Sequence, residues 1–205
     1  MNAVILAGGR GSRLMPLTSD IPKPMLPIAG YPIIDYVTAQ LYHYGIKEEI
    51  LALGYRAECI EEHVKGYRGI KTVCSVEKRP LGTCGSVKYA GSLLSEVFVV
   101  MSGDCVSDID INKMIDAHLN SGAEATVAVG KVEEPSAYGV VGIASGGKIT
   151  ALYEKPGSDK YGNCVNLGAY IVNKSVLSLV PDGQPFDFSK DLFPLLIKRR
   201  SLYAY

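Results

Sequence analysis

The chain has 205 residues, 21 basic and 21 acidic, so its formal net charge is zero; 47% of the side chains are hydrophobic and 20% charged. This is ordinary globular composition, enough for one or two domains with a full core, and 22 glycines and 11 prolines fall short of a low-complexity chain. The balanced charge gives no draw toward nucleic acid or an anionic membrane, no run reaches the roughly 18 apolar residues of a membrane span, and five scattered cysteines (Cys59, Cys74, Cys84, Cys105, Cys164) without a CxxC pair argue against a zinc site and for reduced thiols in the cytoplasm.

Ala3-Val4-Ile5-Leu6-Ala7 is a continuous apolar run, the pattern of a strand buried on both faces, and Met1-Asn2 before it lacks the basic start of a signal peptide. A glycine-rich turn follows. Residues 32–44 predict a helix, with Ile33, Ile34, Val37 and Leu41 at helical spacing, Pro32 near its start and Gly45 at its end. Then come a strand over 49–53, a helix over 57–66, a strand over 72–76, a helix over 83–94, a strand over 97–101 and a helix over 111–120. Such alternation predicts βαβ crossovers and a mostly parallel sheet. Beyond Ser121-Gly122 the rhythm changes. Residues 125–132, 139–144, 148–154 and 165–172 read as strands with little helix between them, and Gly146-Gly147 reads as a hairpin turn. A last helix is expected over about 189–200, its end rich in Lys198, Arg199 and Arg200, before a strand beginning at Leu202. The expected fold class is α/β: a three-layer, Rossmann-like, mixed but mostly parallel sheet with a β-rich lobe. One domain covers residues 1–205, with lobes over about 1–122 and about 123–205.

Leu6-Ala7-Gly8-Gly9-Arg10-Gly11-Ser12-Arg13-Leu14 leaves the first strand directly. Three glycines in four residues let backbone N–H groups approach an anion, at the strand end where open α/β sheets bind ligands. A plain tight turn would use the same glycines. A P-loop would need Lys-Ser or Lys-Thr after its last glycine, and a dinucleotide fingerprint would put its third glycine at Leu14; both are excluded. Pro22 and Pro24 stiffen the backbone around Lys23. A fixed Lys23 and Arg13 beside the loop can hold a triphosphate and stabilise a leaving pyrophosphate. Asp104 follows Ser102-Gly103 at the end of the fourth predicted strand, where one carboxylate facing phosphates suits Mg²⁺. Asp108 and Asp110 fit turn and helix-cap roles better.

LAGGRGSRLMPLTSDIPKPMLPI resembles the signature of the sugar-nucleotide pyrophosphorylases, the nucleotidyltransferases that make NDP-sugars. The resemblance continues through Glu77-Lys78-Arg79-Pro80-Leu81-Gly82-Thr83-Cys84-Gly85, Ser102-Gly103-Asp104, Tyr138-Gly139-Val140-Val141, Glu154-Lys155-Pro156, Asn166-Leu167-Gly168 and Phe188-Ser189-Lys190-Asp191-Leu192-Phe193-Pro194. It implies a glycosyltransferase-A-like fold and a reaction in which a sugar 1-phosphate oxygen attacks the α-phosphorus of an NTP and pyrophosphate leaves. Arg13, Lys23 and Asp104 would be catalytic, with Asp104 also binding Mg²⁺. Leu6, Ala7, Gly8, Gly9, Gly11 and Ser12 would hold the nucleotide, and Glu77, Pro80, Gly82 and Thr83 would border its base, where Glu77 can accept two hydrogen bonds from the N1–H and N2–H₂ edge of guanine and finds no matching donor pair on uracil or thymine. Gly139, Glu154, Lys155 and Asn166 would bind the sugar phosphate.

The wording EKRPLGTCG resembles the mannose-1-phosphate guanylyltransferase branch, where the thymidylyltransferase branch has a glutamine-and-proline version of the loop. GTP and a mannose-like sugar 1-phosphate are therefore the expected substrates of a cytoplasmic enzyme, with homo-oligomers common in the family and no nucleic-acid or membrane partner. Two other readings compete: a non-catalytic, nucleotide-binding regulatory or scaffold subunit, and a cytidylyltransferase for a small phospho-alcohol. Arg13, Lys23 and Asp104 argue against the first, and Glu154-Lys155-Pro156 with the sugar-lobe strands against the second. The resemblance also implies that members continue past Leu202–Tyr205 into a WxDxGT-like element carrying a second metal-side carboxylate. The chain thus reads as a catalytic domain that is either truncated at its C-terminus or natively short, with nucleotide binding retained and turnover expected to be impaired.

Overall fold

A computed structural model of the chain describes residues 1–154 and 161–205. The first strand, β1 (Ala3–Ala7), lies in the middle of the main sheet. A short hairpin of β2 (Pro27–Ile28) and β3 (Tyr31–Pro32) leads into α1 (Ile33–His43). There follow β4 (Glu48–Leu53), α2 (Ala57–Val64), β5 (Lys71–Val76), α3 (Gly82–Tyr89), β6 (Val97–Ser102) and α4 (Ile111–Ser121). The second half comprises β7 (Ala125–Lys131), β8 (Gly139–Ile143), β9 (Ile149–Glu154), β10 (Cys164–Asn173), α5 (Phe193–Lys198) and β11 (Leu202–Ala204).

The sheet runs β11-β7-β10-β6-β1-β4-β5, with the β8–β9 hairpin attached through β10. β5, β4, β1 and β6 are mutually parallel; β10 is antiparallel to both β6 and β7, and β11 is parallel to β7. Alternation along the strands makes three layers. Val4, Ile50 and Val100 face one way and pack with α3, Phe188, Phe193 and the hairpin residues Val141 and Ile149. Ile5, Leu51 and Val99 face the other way and pack with α1, α2 and α4 through Ile34, Leu41, Ile60 and Met114. The expected α/β class with a mixed, mostly parallel sheet is what the chain forms.

Two predicted helices are shorter than expected. The segment 83–94 is α3 followed, after Ala90, by a separate 3₁₀ turn, Gly91–Leu93; Gly91 weakens helix continuation. The segment 189–200 is a π-type turn, Phe188–Leu192, before α5. Pro194 lacks the N–H that would continue an α-helical ladder back to residue 190, and the Leu192 N–H bonds instead to the Asp187 carbonyl at 3.1 Å. The Gly146-Gly147 turn forms as expected, both residues at φ near +80°, and Ala144 N–H donates to the Lys148 carbonyl at 2.8 Å. Among the described residues no helix is long and apolar enough to cross a membrane.

Candidate active site

A cavity of about 730 Å³ opens at the C-terminal ends of β1, β4 and β6. The parallel strands end there together, and the turns leaving them supply the wall: Gly8–Gly11 after β1, Gly54 and Tyr55 after β4, and Asp104 after β6.

The glycine-rich loop spans this cavity. A side chain at Gly8 would sit 3.2 Å from the Gly54 nitrogen and 3.5 Å from Glu77 Oε1; one at Gly11, whose φ is +65°, would press on Lys23 Cβ at 3.0 Å. One end of the loop therefore adjoins Glu77 and the other Lys23. Tyr55 N–H donates to the Gly8 carbonyl (3.1 Å), and the buried Thr18 hydroxyl donates to the Gly11 carbonyl (3.0 Å).

At the Lys23 end, Lys23 Nζ donates to Asp104 Oδ2 at 2.5 Å and Ser102 Oγ donates to Asp104 Oδ1 at 2.5 Å. A 3₁₀ turn, Lys23–Met25, with Pro24 buried, holds the lysine backbone. Gly103 lets the aspartate reach its place, because a Cβ there would lie 2.9 Å from both Ile5 Cγ2 and the Leu6 carbonyl oxygen. Burial works to raise the Asp104 pKa, but the bonds from Lys23 and Ser102 outweigh it and hold the carboxyl below its ordinary 3.8. Asp104 is thus ionised at neutral pH. A carboxylate offers about four lone-pair sites, so the two donors leave room for a cation. Among the described residues no group of three His, Cys, Asp or Glu side chains could hold a metal ion by itself. The donor set fits Mg²⁺ completed by phosphate oxygens and water, which needs only one or two carboxylates.

At the other end, Glu77 is half-buried. Its Oε2 accepts from Ser86 Oγ (2.6 Å) and from Leu81 N–H (3.3 Å). The loop that carries it is fastened to the segment before α5. Cys84 and Gly85 N–H groups donate to the Phe186 carbonyl (both 2.9 Å), Phe186 N–H donates to Leu81 (2.8 Å), and Asp187 Oδ1 accepts from Thr83 N–H and Oγ1 (3.2 and 3.0 Å). Gly82, at φ +73°, is required there: a Cβ would fall 2.8 Å from the Phe186 carbonyl oxygen.

Of the residues expected to hold nucleotide or catalyse transfer, Leu6, Ala7, Gly8, Gly9, Gly11, Lys23, Glu77, Pro80, Gly82, Thr83 and Asp104 line this one cavity. Ser12 and Arg13 do not; they form an exposed 3₁₀ turn, Ser12–Leu14, beside it. Arg10, Tyr55, Ser86 and Asp187 line the cavity without having been singled out. Arg10 lies inside the quoted motif, where the glycines drew attention away from it; Tyr55 comes from a segment with no motif, and Asp187 stands one residue before the quoted Phe188–Pro194 segment.

The expected sugar-phosphate residues group elsewhere, on the second half of the sheet. Gly139 pairs with Glu154 across β8 and β9, and a Cβ at Gly139 would lie 3.3 Å from Glu154 Oε2 and 3.9 Å from Asn166 Cβ. Asn166 Oδ1 accepts from Gly168 N–H (2.8 Å), and its amide donates to Tyr170 Oη (3.1 Å) and Ser189 Oγ (3.4 Å). This spans a bulge in β10, where the register with β7 shifts between Asn166 and Tyr170 and Gly168 takes φ +75°. Lys155 lies outside the described residues.

The fold is that of the nucleotidyltransferases, and the sequence assigns the class: the Nucleotidyl transferase family model matches residues 2–205, and the chain belongs to that family. It is 39% identical over 212 residues to a mannose-1-phosphate guanyltransferase of Yarrowia lipolytica, an alignment covering 100% of this chain and 58% of that one. It is 39% identical over 208 residues to a mannose-1-phosphate guanylyltransferase catalytic subunit beta of Drosophila pseudoobscura pseudoobscura, covering 98% and 56%. The chain therefore spans little more than half the length of these relatives. Among solved structures, HddC from Yersinia pseudotuberculosis complexed with GMP-PN superimposes with a TM-score of 0.84 at 29% identity, covering 100% of this chain and 89% of that one. A UDP-glucose pyrophosphorylase complexed with UDP-glucose shares the fold, with a TM-score of 0.84 at 22% identity and the same coverage.

Proposed function

We propose that this chain carries out guanylyl transfer, joining GTP to mannose 1-phosphate to give GDP-mannose and pyrophosphate. The observation that carries this reading is the arrangement of one cavity: Glu77 at one end of the Gly8–Gly11 loop and the Lys23–Asp104 pair at the other. The guanylyltransferase names of the relatives, and the guanine nucleotide bound by HddC, support the choice of base.

In this reading guanine lies against Glu77, whose remaining lone pairs accept N1–H and N2–H₂ while Ser86 and Leu81 hold the carboxylate still. The loop N–H groups face the phosphates. The sugar phosphate oxygen attacks the α-phosphorus, and the bond from that phosphorus to the bridging oxygen breaks; the oxygen departs with pyrophosphate. Lys23 offsets charge on the α-phosphate as it builds. Asp104 would hold Mg²⁺, which would supply further charge neutralisation. Gly139, Glu154 and Asn166, with Lys155, hold the sugar 1-phosphate, so the second lobe delivers the nucleophile. Positioning and neutralisation do most of the work, since phosphoryl transfer needs little covalent help from protein.

The test is pyrophosphate release with Mg²⁺, running GTP, UTP, dTTP, CTP and ATP against mannose 1-phosphate and glucose 1-phosphate. Release confined to GTP with mannose 1-phosphate is expected. Release with another base removes the Glu77 argument and keeps the class; binding of GTP with no release from any pair sinks the proposed turnover.

A further inference from the structure

The cavity wall carries four cationic side chains: Arg10, Lys23, Lys78 and Arg79. Lys23 is committed to Asp104, and Arg79 donates to the Gly183 carbonyl at 2.5 Å. Lys78 follows Glu77 directly and so belongs to the base-side loop. Arg10 is different. It sits between Gly9 and Gly11, next to the end of the loop that adjoins Lys23. Among the described residues no carboxylate pairs with it. Its guanidinium lies over the Tyr55 ring, 5.6 Å from the centroid, within cation–π range.

Tyr55 is itself fixed. Its N–H donates to Gly8, its hydroxyl reaches the Thr18 and Ser19 carbonyls (3.2 and 2.9 Å), and Arg56 lies 5.8 Å from the same ring. Arg56 donates to the Ser19 carbonyl and faces Asp20, so it is spoken for. Arg10 therefore rests on a rigid aromatic platform with its donor fork unspent, beside the loop that presents backbone N–H groups. A guanidinium suits two phosphate oxygens at once, and stacking on a ring limits the side-chain freedom lost on binding. Gly9 adds no obstruction, because a Cβ there would meet nothing within 4 Å.

We propose that Arg10, parked on Tyr55, binds the β- and γ-phosphates of the NTP and so holds the diphosphate that leaves. This rests on the nucleotidyl-transfer reading and adds a residue to it. Lys23 then serves the α-phosphate and Arg10 the leaving group. No proton moves from Arg10, because the departing oxygen is already an anion neutralised by charge.

The test compares nucleotides that differ only in the leaving group. Calorimetry with Mg²⁺ measures GTP and GMP binding to the 205-residue wild-type chain and to Arg10→Ala, Arg10→Lys, Tyr55→Phe and Tyr55→Leu. Arg10→Ala is expected to weaken GTP by about 10- to 100-fold, the range of a charge-assisted hydrogen bond, and to leave GMP within about 2-fold. The KM for pyrophosphate in the reverse reaction should rise by a similar factor. Arg10→Lys should recover part of the loss, since it keeps the charge and loses the fork. Tyr55→Phe should hold the GTP-to-GMP ratio closer to wild type than Tyr55→Leu does. An unchanged ratio in Arg10→Ala, or equal weakening of GTP and GMP, overturns the proposal while the transfer reading stands. A wild-type chain that binds none of the five NTPs overturns both. Arg10 is exposed on a loop, and an unchanged melting temperature for Arg10→Ala separates lost binding from lost folding.

Discussion

The two halves of the sheet build their sites differently. In the half made by β1, β4, β5 and β6, parallel strands end on one edge, and each turn that leaves them contributes directly to the cavity. A residue's place there follows from its distance past a strand end, as with Gly8, Gly54 and Asp104. In the half made by β7 to β11, candidate residues sit within strands. Gly139, Glu154 and Asn166 meet only because β8, β9 and β10 adopt a particular register and β10 carries a bulge. Placement of the candidate residues rests on chain direction in the first half, and on pairing in the second.

If this contrast is right, the second half should depend most on its packing. Tyr170, Phe188 and Phe193 form a buried aromatic cluster beneath it, with ring centroids 5.0 to 5.6 Å apart. Phe193→Ala should cost about 3–5 kcal/mol of stability, read from urea unfolding. A cost below about 1 kcal/mol would mean that the cluster does not support this half.

The first half should depend instead on charge placed at strand ends. Lys23→Met should lower kcat for pyrophosphate release by roughly 100- to 1,000-fold, the scale of losing one preorganised electrostatic contact, with little change in melting temperature. If KM alone moved, Lys23 would be a binding residue only. A smaller effect should sharpen the contrast. Asn166→Ala removes the acceptor of Gly168 N–H and the donor to Tyr170, costing about 1–3 kcal/mol locally. The KM for sugar 1-phosphate should rise while that for NTP stays put; a rise in both would show that the halves are not separable.

The smallest expected effect concerns two buried titratable groups, Glu49 on β4 in the first half and His118 on α4, which bonds to Thr126 and Asn173 of the second. Burial raises the pKa of Glu49 above its ordinary 4.5, outweighing the bonds from Thr72 and Thr38. The folded state then holds a proton that the unfolded state has lost, so this group's contribution declines as pH rises from 4.5 through its folded value. Burial lowers the pKa of His118 below its ordinary 6.5, with Asn173 partly opposing. Its contribution is full above 6.5 and declines as pH falls through its folded value. Relative to wild type, Glu49→Gln should therefore make stability rise more steeply with pH between 4.5 and 6.5, and His118→Gln less steeply. Slopes that shift in the same direction would contradict the assignment.

Much of the cavity was legible from the chain alone, because most of the residues singled out in it lie within a few positions of strands that announce themselves by apolar runs. Gly8, Gly9, Gly11, Glu77 and Asp104 are all of this kind; Lys23, far from any such run, was legible instead from the prolines that flank it. Arg13 was legible as a cation in the motif, but the 3₁₀ turn after Gly11 carries it to the exposed side of the loop, whereas Arg10 three residues earlier lines the cavity. Spacing could not distinguish them, since a turn with positive φ at Gly11 redirects the chain within one residue. Asn166 was expected as a sugar ligand; its visible work is holding the bulge in β10, and no local pattern announces a bulge that exists only against β7.

Sequence by itself determined the α/β class, the order and approximate limits of the strands, and the chemical kinds of group gathered near the first strand. Local physics suffices for these: apolar periodicity selects strand or helix, and glycine or proline selects where each ends. Tertiary structure decided which of those groups share a cavity. It set Tyr55 under Arg10, fixed Glu77 through Ser86, and fastened Thr83 to Asp187, a residue 104 positions away. Such contacts depend on how the sheet orders its strands and on the segment before α5 folding back over the loop that follows β5. Neither is encoded in any stretch short enough to be read as a motif.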